Sequence, residues 1–195
     1  MKKINALAML SLSGAVLLTA GCTQDQAETS PLLSPFYATA SMVSKQQVED
    51  RKIVDIIMTV DKNEIAAANV AATKQINPRV KRYAAYLHQQ HEQNLSQLVA
   101  LAQNNDLQPL ASTTSSALVN DGRQELKMLN GLTGSAFEKA YIKAMIDGHK
   151  AGLKLIDTTL LPQAKTPSLK SFLKTTREMV VHHLRSAIRL QHELK

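Results

Sequence analysis

Asn104-Asn105-Asp106-Leu107-Gln108-Pro109-Leu110-Ala111-Ser112-Thr113-Thr114-Ser115-Ser116 decides the architecture. On either side of it, apolar residues recur at helical spacing over long runs. Within it, Asp106, Pro109 and a Ser/Thr cluster break that spacing. A shorter helix from about Ser115 to Leu129 follows, and Gly131-Leu132-Thr133-Gly134 closes it. The joint from Asn105 to Gly134 is thus about 30 residues long. Antiparallel helical neighbours need only about 2–8 connecting residues, so a joint of this length can cross the whole molecule.

The flanking runs are two helical hairpins. A first helix from about Gln47 to Lys74 carries Ile53, Ile57, Val60, Ala67 and Ala71 on one face. Asn77-Pro78 pairs a capping side chain with proline at the first helical position, which starts a second helix running to about Asn104. Its stripe is Val80, Ala84, Leu87, Leu95, Leu98 and Leu101. Thr133 opens a third long helix with Phe137, Tyr141, Met145, Leu153 and Ile156, ending near Leu161-Pro162. Thr166-Pro167 repeats the cap-and-proline signal for a fourth, with Phe172, Met179, Val180, Leu184, Leu190 and Leu194. The expected fold is all-α: a four-helix bundle of two antiparallel hairpins joined by a long crossover containing a short helix, the ferritin-like connectivity.

Composition agrees. The chain has 195 residues, 44% hydrophobic, 4% aromatic and 20% charged, which favours a folded, helix-rich domain over a disordered chain or a β-sandwich. One cysteine excludes a disulfide framework and any multi-cysteine metal site.

That cysteine has another use. Met1-Lys2-Lys3 is a basic start, Ile4 to Leu18 is uncharged and apolar, and Leu18-Thr19-Ala20-Gly21-Cys22 closes with small residues. The apolar run is too short to span a bilayer comfortably and reads as a signal peptide over residues 1–21. The run resembles the lipobox of bacterial lipoproteins, with Thr19 where Leu is commoner. The resemblance implies lipid attachment at Cys22, anchoring to the cell envelope and, with Thr23 following, the outer membrane facing the periplasm. Residues 22–45, rich in Gln, Ser, Thr, Ala and Pro, are expected to be a flexible tether, with the bundle over 46–195. The formal charge is +7, and loss of Lys2 and Lys3 leaves +5. The basic residues are spread without stacking aromatics, so a nucleic-acid partner is not expected. Membrane contact through Cys22 and envelope protein partners are.

The apolar stripes are interrupted in register. Glu64 falls between Val60 and Ala67, His91 between Leu87 and Leu95, His149 between Met145 and Leu153, and His183 between Met179 and Ala187. Glu64 lies 11 residues before Gln75 and His91 lies 13 after Pro78; His149 lies 12 before Leu161 and His183 lies 16 after Pro167. At about 1.5 Å per residue the offsets are roughly 3 and 6 Å, so a shared Glu/His/His/His layer is expected. A buried carboxylate requires partners. Two arrangements supply them: a divalent ion (Zn, Cu or Fe) with Tyr141 as a supporting hydrogen-bond donor and His88 one turn from His91, or a metal-free hydrogen-bond network that fixes helix register. His182 and His192 are expected to face solvent.

Tyr83-Ala84-Ala85-Tyr86-Leu87-His88-Gln89-Gln90-His91, followed by Asn94 and Leu98, then Leu132-Thr133-Gly134-Ser135-Ala136-Phe137-Glu138, Tyr141, Met145, His149 and His183-Leu184, resemble the bacterial family called domain of unknown function 4142. The resemblance spans roughly Gln47 to Leu194 and implies a ferritin-like envelope domain with characteristic polar positions at Glu64, His91, Tyr141, His149 and His183. Gln90 stands where the family usually has Asp. No established activity comes with it.

Ferritin-like di-iron enzymes use two Glu-x-x-His pairs with two further Glu. The chain contains no Glu-x-x-His, no Gly-x-Ser-x-Gly and no free cysteine for catalysis, so no catalytic residue is assigned. The favoured expectation is a non-catalytic binding module holding a metal ion or small ligand. The alternatives are a structural or partner-docking lipoprotein and a metal-dependent redox enzyme. An apolar stripe on the Ser115–Leu129 helix could also support a dimer.

Overall fold

The computed structural model describes residues 35–194, with side chains from residue 47 onward. Cys22, the signal peptide and the first part of the expected tether lie outside the described residues. Helices α1 (Pro35–Thr73), α2 (Pro78–Asn104), α3 (Thr113–Asn130), α4 (Gly134–Leu155), α5 (Leu161–Gln163) and α6 (Pro167–Glu193) follow in order, with a π-helical turn (Ile156–Leu160) joining α4 to α5. No strand occurs among the described residues. The architecture is the expected ferritin-like bundle, with the α1–α2 and α4–α6 hairpins joined through α3.

The tether expectation fails at its C-terminal end, because residues 35–45 belong to α1. No glycine or proline interrupts the chain between Pro35 and Pro78. Proline is tolerated at a helix start, and the run after it holds good helix formers.

The helix ends follow local chemistry. Asn77 Oδ1 accepts from Arg79 N–H at 2.9 Å ahead of Pro78. Ser112 and Ser115 form a reciprocal capping box: Ser115 N–H donates to Ser112 Oγ at 3.1 Å and Ser112 N–H to Ser115 Oγ at 2.9 Å. Thr133 and Thr166 cap without a side-chain bond to their own helices. Instead, Asp50 on α1, 1% exposed, accepts the backbone N–H groups of Lys165 at 2.7 Å and Thr166 at 2.8 Å. It thereby ties α1 to the beginning of α6.

The π turn refines the layer arithmetic. Leu161 N–H donates five residues back to Ile156 O, just ahead of Pro162, whose ring would conflict with the carbonyl four residues before it. Helical structure therefore continues to Gln163, 14 residues past His149. His183 lies 16 residues past Pro167, so the expected offset of four shrinks to two.

α3 packs on α1. Leu129 is fully buried and Leu118 and Leu126 pack on the core. Gly122 permits the approach: a Cβ there would stand 2.4 Å from the Asn63 side chain, whose Nδ2 donates to Leu118 O at 2.8 Å.

The apolar core has two parts. One gathers Ala71, Tyr83, Leu87, Phe137, Ile142 and Leu190. The other gathers Ile53, Leu98, Ile156, Leu169, Leu173 and Val180. Burying each large aliphatic side chain contributes about 1.5–3 kcal/mol, so both parts drive assembly. Between them lies a polar belt.

Candidate metal centre

Three long helices each turn one imidazole into that belt: His91 from α2, His149 from α4 and His183 from α6. All are at most 3% exposed. Their ring centroids stand 5.1 Å (His91–His183), 5.3 Å (His149–His183) and 6.1 Å (His91–His149) apart. One nitrogen from each lies within 4.8 Å of the others. A tetrahedral ion at about 2.0–2.1 Å from nitrogen would need these atoms roughly 3.4 Å apart, so a side-chain adjustment of about an ångström forms the site.

The outer edges of two rings are fixed. His91 Nδ1–H donates to Asp61 Oδ1 at 2.8 Å. His149 Nδ1–H donates to the Met145 carbonyl at 2.6 Å. Protons held at Nδ1 leave Nε2 of both rings as lone-pair donors. His149 Nε2 accepts from His183 Nδ1–H at 3.3 Å, a long contact. Behind His91 the support continues: Asn94 Nδ2 donates to both Asp61 oxygens at 3.2 and 3.0 Å, and Thr176 Oγ1 donates to Asn94 Oδ1 at 2.9 Å. Tyr83 reaches the backbone of the third histidine, donating to His183 O at 3.1 Å.

Burial disfavours the charged form of two of the three imidazoles. Burial, followed by the neighbouring His91 and His149, pushes His183 down to about 2. Burial likewise lowers His149 below the ordinary histidine value. Burial opposes a charged His91 too, but there the Asp61 hydrogen bond and the Glu64 and Asp61 charges outweigh it and raise the imidazole. Asp61 is raised by burial, and His91 pulls it only part way back.

Not every expected residue joins. Glu64, expected as the fourth member, is outside the three-nitrogen cluster. It is half-buried, with Oε1 3.7 Å from where a Cβ on Gly148 would stand, so its carboxylate runs along the bare glycine face of α4. Asp61, three residues earlier on the same face, takes the place opposite His91. His88 is also turned away: its side chain is 31% exposed and pairs with Glu92 at 3.4 Å on its own helix. Tyr141 is fully buried and stacked on Phe137 at 5.6 Å, but its hydroxyl bonds none of the histidines. His182 and His192 face solvent as expected. Met145 contributes its carbonyl; Met58 and Met179 pack against the core and Met128 is exposed.

Asp61, Asn94 and Thr176 were missed as supporting residues, and Glu125 as a carboxylate near Glu64. Asp61 follows Val60, which the stripe claims, and Asn94 lies three residues after His91, a helical neighbour position that could have revealed it. Half-buried Glu125 on α3 is raised to about 7, first by burial and then by Glu64. It became visible only once α3 was placed against α1.

Among the described residues four buried side-chain polar atoms have no partner: Glu64 Oε2, His91 Nε2, Tyr141 Oη and His183 Nε2. Each unmet group costs about 1–3 kcal/mol, so their concentration here marks a belt built at the expense of stability.

A helical bundle with a buried three-histidine belt is the class that fold and site define. The family described as domain of unknown function (DUF4142) matches residues 37–190, and the chain belongs to that family. The crystal structure of a DUF305 protein from Streptomyces coelicolor, assigned as secreted, is similar in fold: TM-score 0.64, 15% identity, covering 75% of this chain and 93% of that one. No curated protein sequence matches the chain.

Proposed function

We propose that the protein is a metal-binding module of the bacterial cell envelope, with His91, His149 and His183 as ligands to one divalent or monovalent transition-metal ion. The observation carrying this reading is the convergence of three buried imidazoles within 4.8 Å while Asp61 and the Met145 carbonyl occupy the outer nitrogens of two of them. An all-imidazole donor set suits zinc, copper or iron. Asp61 orients and strengthens His91, as carboxylates behind metal-bound histidines do. Anchoring through Cys22 to the outer membrane, facing the periplasm, accompanies this reading. It rests on the signal-like residues 1–21. No helix among the described residues is long and apolar enough to cross a membrane.

The chain from Thr176 through Asn94 and Asp61 to His91 supports a second reading, a hydrogen-bonded layer that fixes helix register without an ion. Elemental analysis of the soluble chain starting at Thr23, beside His91→Ala/His149→Ala, separates the two. The proposal expects near-stoichiometric metal in the parent, none in the variant, and a chelator-sensitive Tm. An empty parent after incubation with zinc, copper and iron salts, with melting indifferent to chelator, refutes it.

A further inference from the structure

The belt does not fill its space. A cavity of about 40 Å³ lies against His91 and His149, walled by Val60 and Glu64 of α1 and by Gly148 and Gly152 of α4. That volume holds roughly two or three water-sized atoms. Apart from Asp61, Glu64, Thr176, the two histidines and the two glycines, its walls are aliphatic, with Ile57, Leu155 and Val180 among them.

The two glycines are what open it. They stand one helical turn apart on the side of α4 that carries Glu64 against it, and Gly148 is solvent-exposed. A Cβ added at Gly152 would meet no atom within 4 Å, so no neighbouring group occupies that space. The space reaches His91 and Glu64, each with a buried polar atom left without a partner, Nε2 and Oε2. A closed structural site fills four positions with protein ligands, whereas here three histidines converge and the carboxylate expected as fourth lies on the cavity wall.

We infer that the cleft between α1 and α4 at Gly148 and Gly152 is the access route by which a neutral ligand of two or three heavy atoms, of dioxygen size, reaches an open coordination position on the His91/His149/His183 centre. This rests on the metal-binding reading. Aliphatic walls favour a neutral guest, and the adjacent carboxylates of Asp61 and Glu64 disfavour an anionic one. The small volume excludes larger substrates.

The test uses the soluble chain loaded with copper(I) under reducing, oxygen-free conditions and exposed to carbon monoxide, with bound CO followed by infrared absorption. Gly152→Ala and Gly152→Leu are compared with the parent, each checked for copper content and helicity. The result expected is one CO per copper in the parent, near-parental uptake in Gly152→Ala, and at least tenfold slower or absent uptake in Gly152→Leu at unchanged copper content. Copper retained with no CO band in the parent, or equal uptake in Gly152→Leu, overturns the access route while leaving the metal site standing. Copper not retained by the parent overturns the access route, and a parent that retains neither copper, zinc nor iron overturns the metal site as well.

Discussion

Asp61→Asn keeps shape and removes charge at the point where α1 meets the belt. In the parent, the Asp61 carboxylate accepts from His91 at 2.8 Å and from Asn94 at 3.0 and 3.2 Å, with both Asp61 and His91 side chains 2% exposed. The amide can still accept from one of these donors, but its NH2 then confronts the other. Asn94 must flip, and Thr176 must rotate to accept where it now donates. Charge-assisted bonds of about 1.5–3 kcal/mol become neutral ones of about 0.5–1.5, so a net loss of about 1–3 kcal/mol is expected. For a domain of this size that is a Tm lower by roughly 3–10 °C. The larger consequence concerns the ion. Without the carboxylate, His91 loses basicity and its preferred tautomer, and metal affinity should fall about 10–100-fold. The parent His91 is raised, so protons compete with metal at low pH; Asp61→Asn relieves that competition while weakening the ligand. The loss should therefore be larger at pH 8 than at pH 6. Chelator-competition titrations at both values, with circular dichroism melts, measure it. Affinity within threefold of the parent at pH 8 would refute the assigned role of Asp61.

Other side chains of the belt and its surroundings give further expected outcomes. In the metal-free protein His183 and His149 resist protonation when folded but titrate near 6.5 when unfolded, so their contribution to stability falls as pH drops below 6.5; His183 alone removes about 2 kcal/mol between pH 7 and 5, and raised His91 works in the opposite direction. Denaturant melts should show a shallower acid-side decline in His183→Gln, and an unchanged slope would contradict the burial argument. Glu125, raised to about 7 from 4.5, disfavours the folded state progressively as pH rises through that interval, so Glu125→Gln should melt higher than the parent at pH 8 and equally at pH 4. Gly122→Ala should cost about 1–3 kcal/mol because its Cβ displaces the Asn63 amide; Asn63→Ala in the same chain should recover part of the loss, and strict additivity would rule that contact out. Asp50→Ala should lower Tm and speed proteolysis near Lys165, since two backbone donors lose their acceptor.

The bundle was legible where local chemistry and periodicity coincide. Asn77-Pro78 and Thr166-Pro167 mark helix starts because proline at that position forfeits no hydrogen bond, and those starts let the histidines be compared in height. The beginning of α1 was not legible, since Ser, Thr and Gln suit both a tether and a helix; chain context decided at Pro35. The π turn could be suspected only as a disturbance around Leu161-Pro162. At the centre, histidines inside an apolar stripe stand out, whereas Asp61 beside a stripe residue does not. Asp61 and Glu64 stand about 60° apart around α1, so which of them faces His91 depends on helix rotation, set by the glycine face of α4 and by Gly122 on α3.

The three nitrogens come from α2, α4 and α6; α1 brings only carboxylates. An ion held there would rivet three helices and leave the fourth attached by hydrogen bonds and packing alone. Tension applied to the N-terminal side of the domain would run along α1 and load the contacts of Asp50 and Asp61, sparing the coordination bonds. Under such a pull α1 is the mechanical fuse of the molecule, and its detachment would uncover the glycine face of α4 while the riveted trio stayed together.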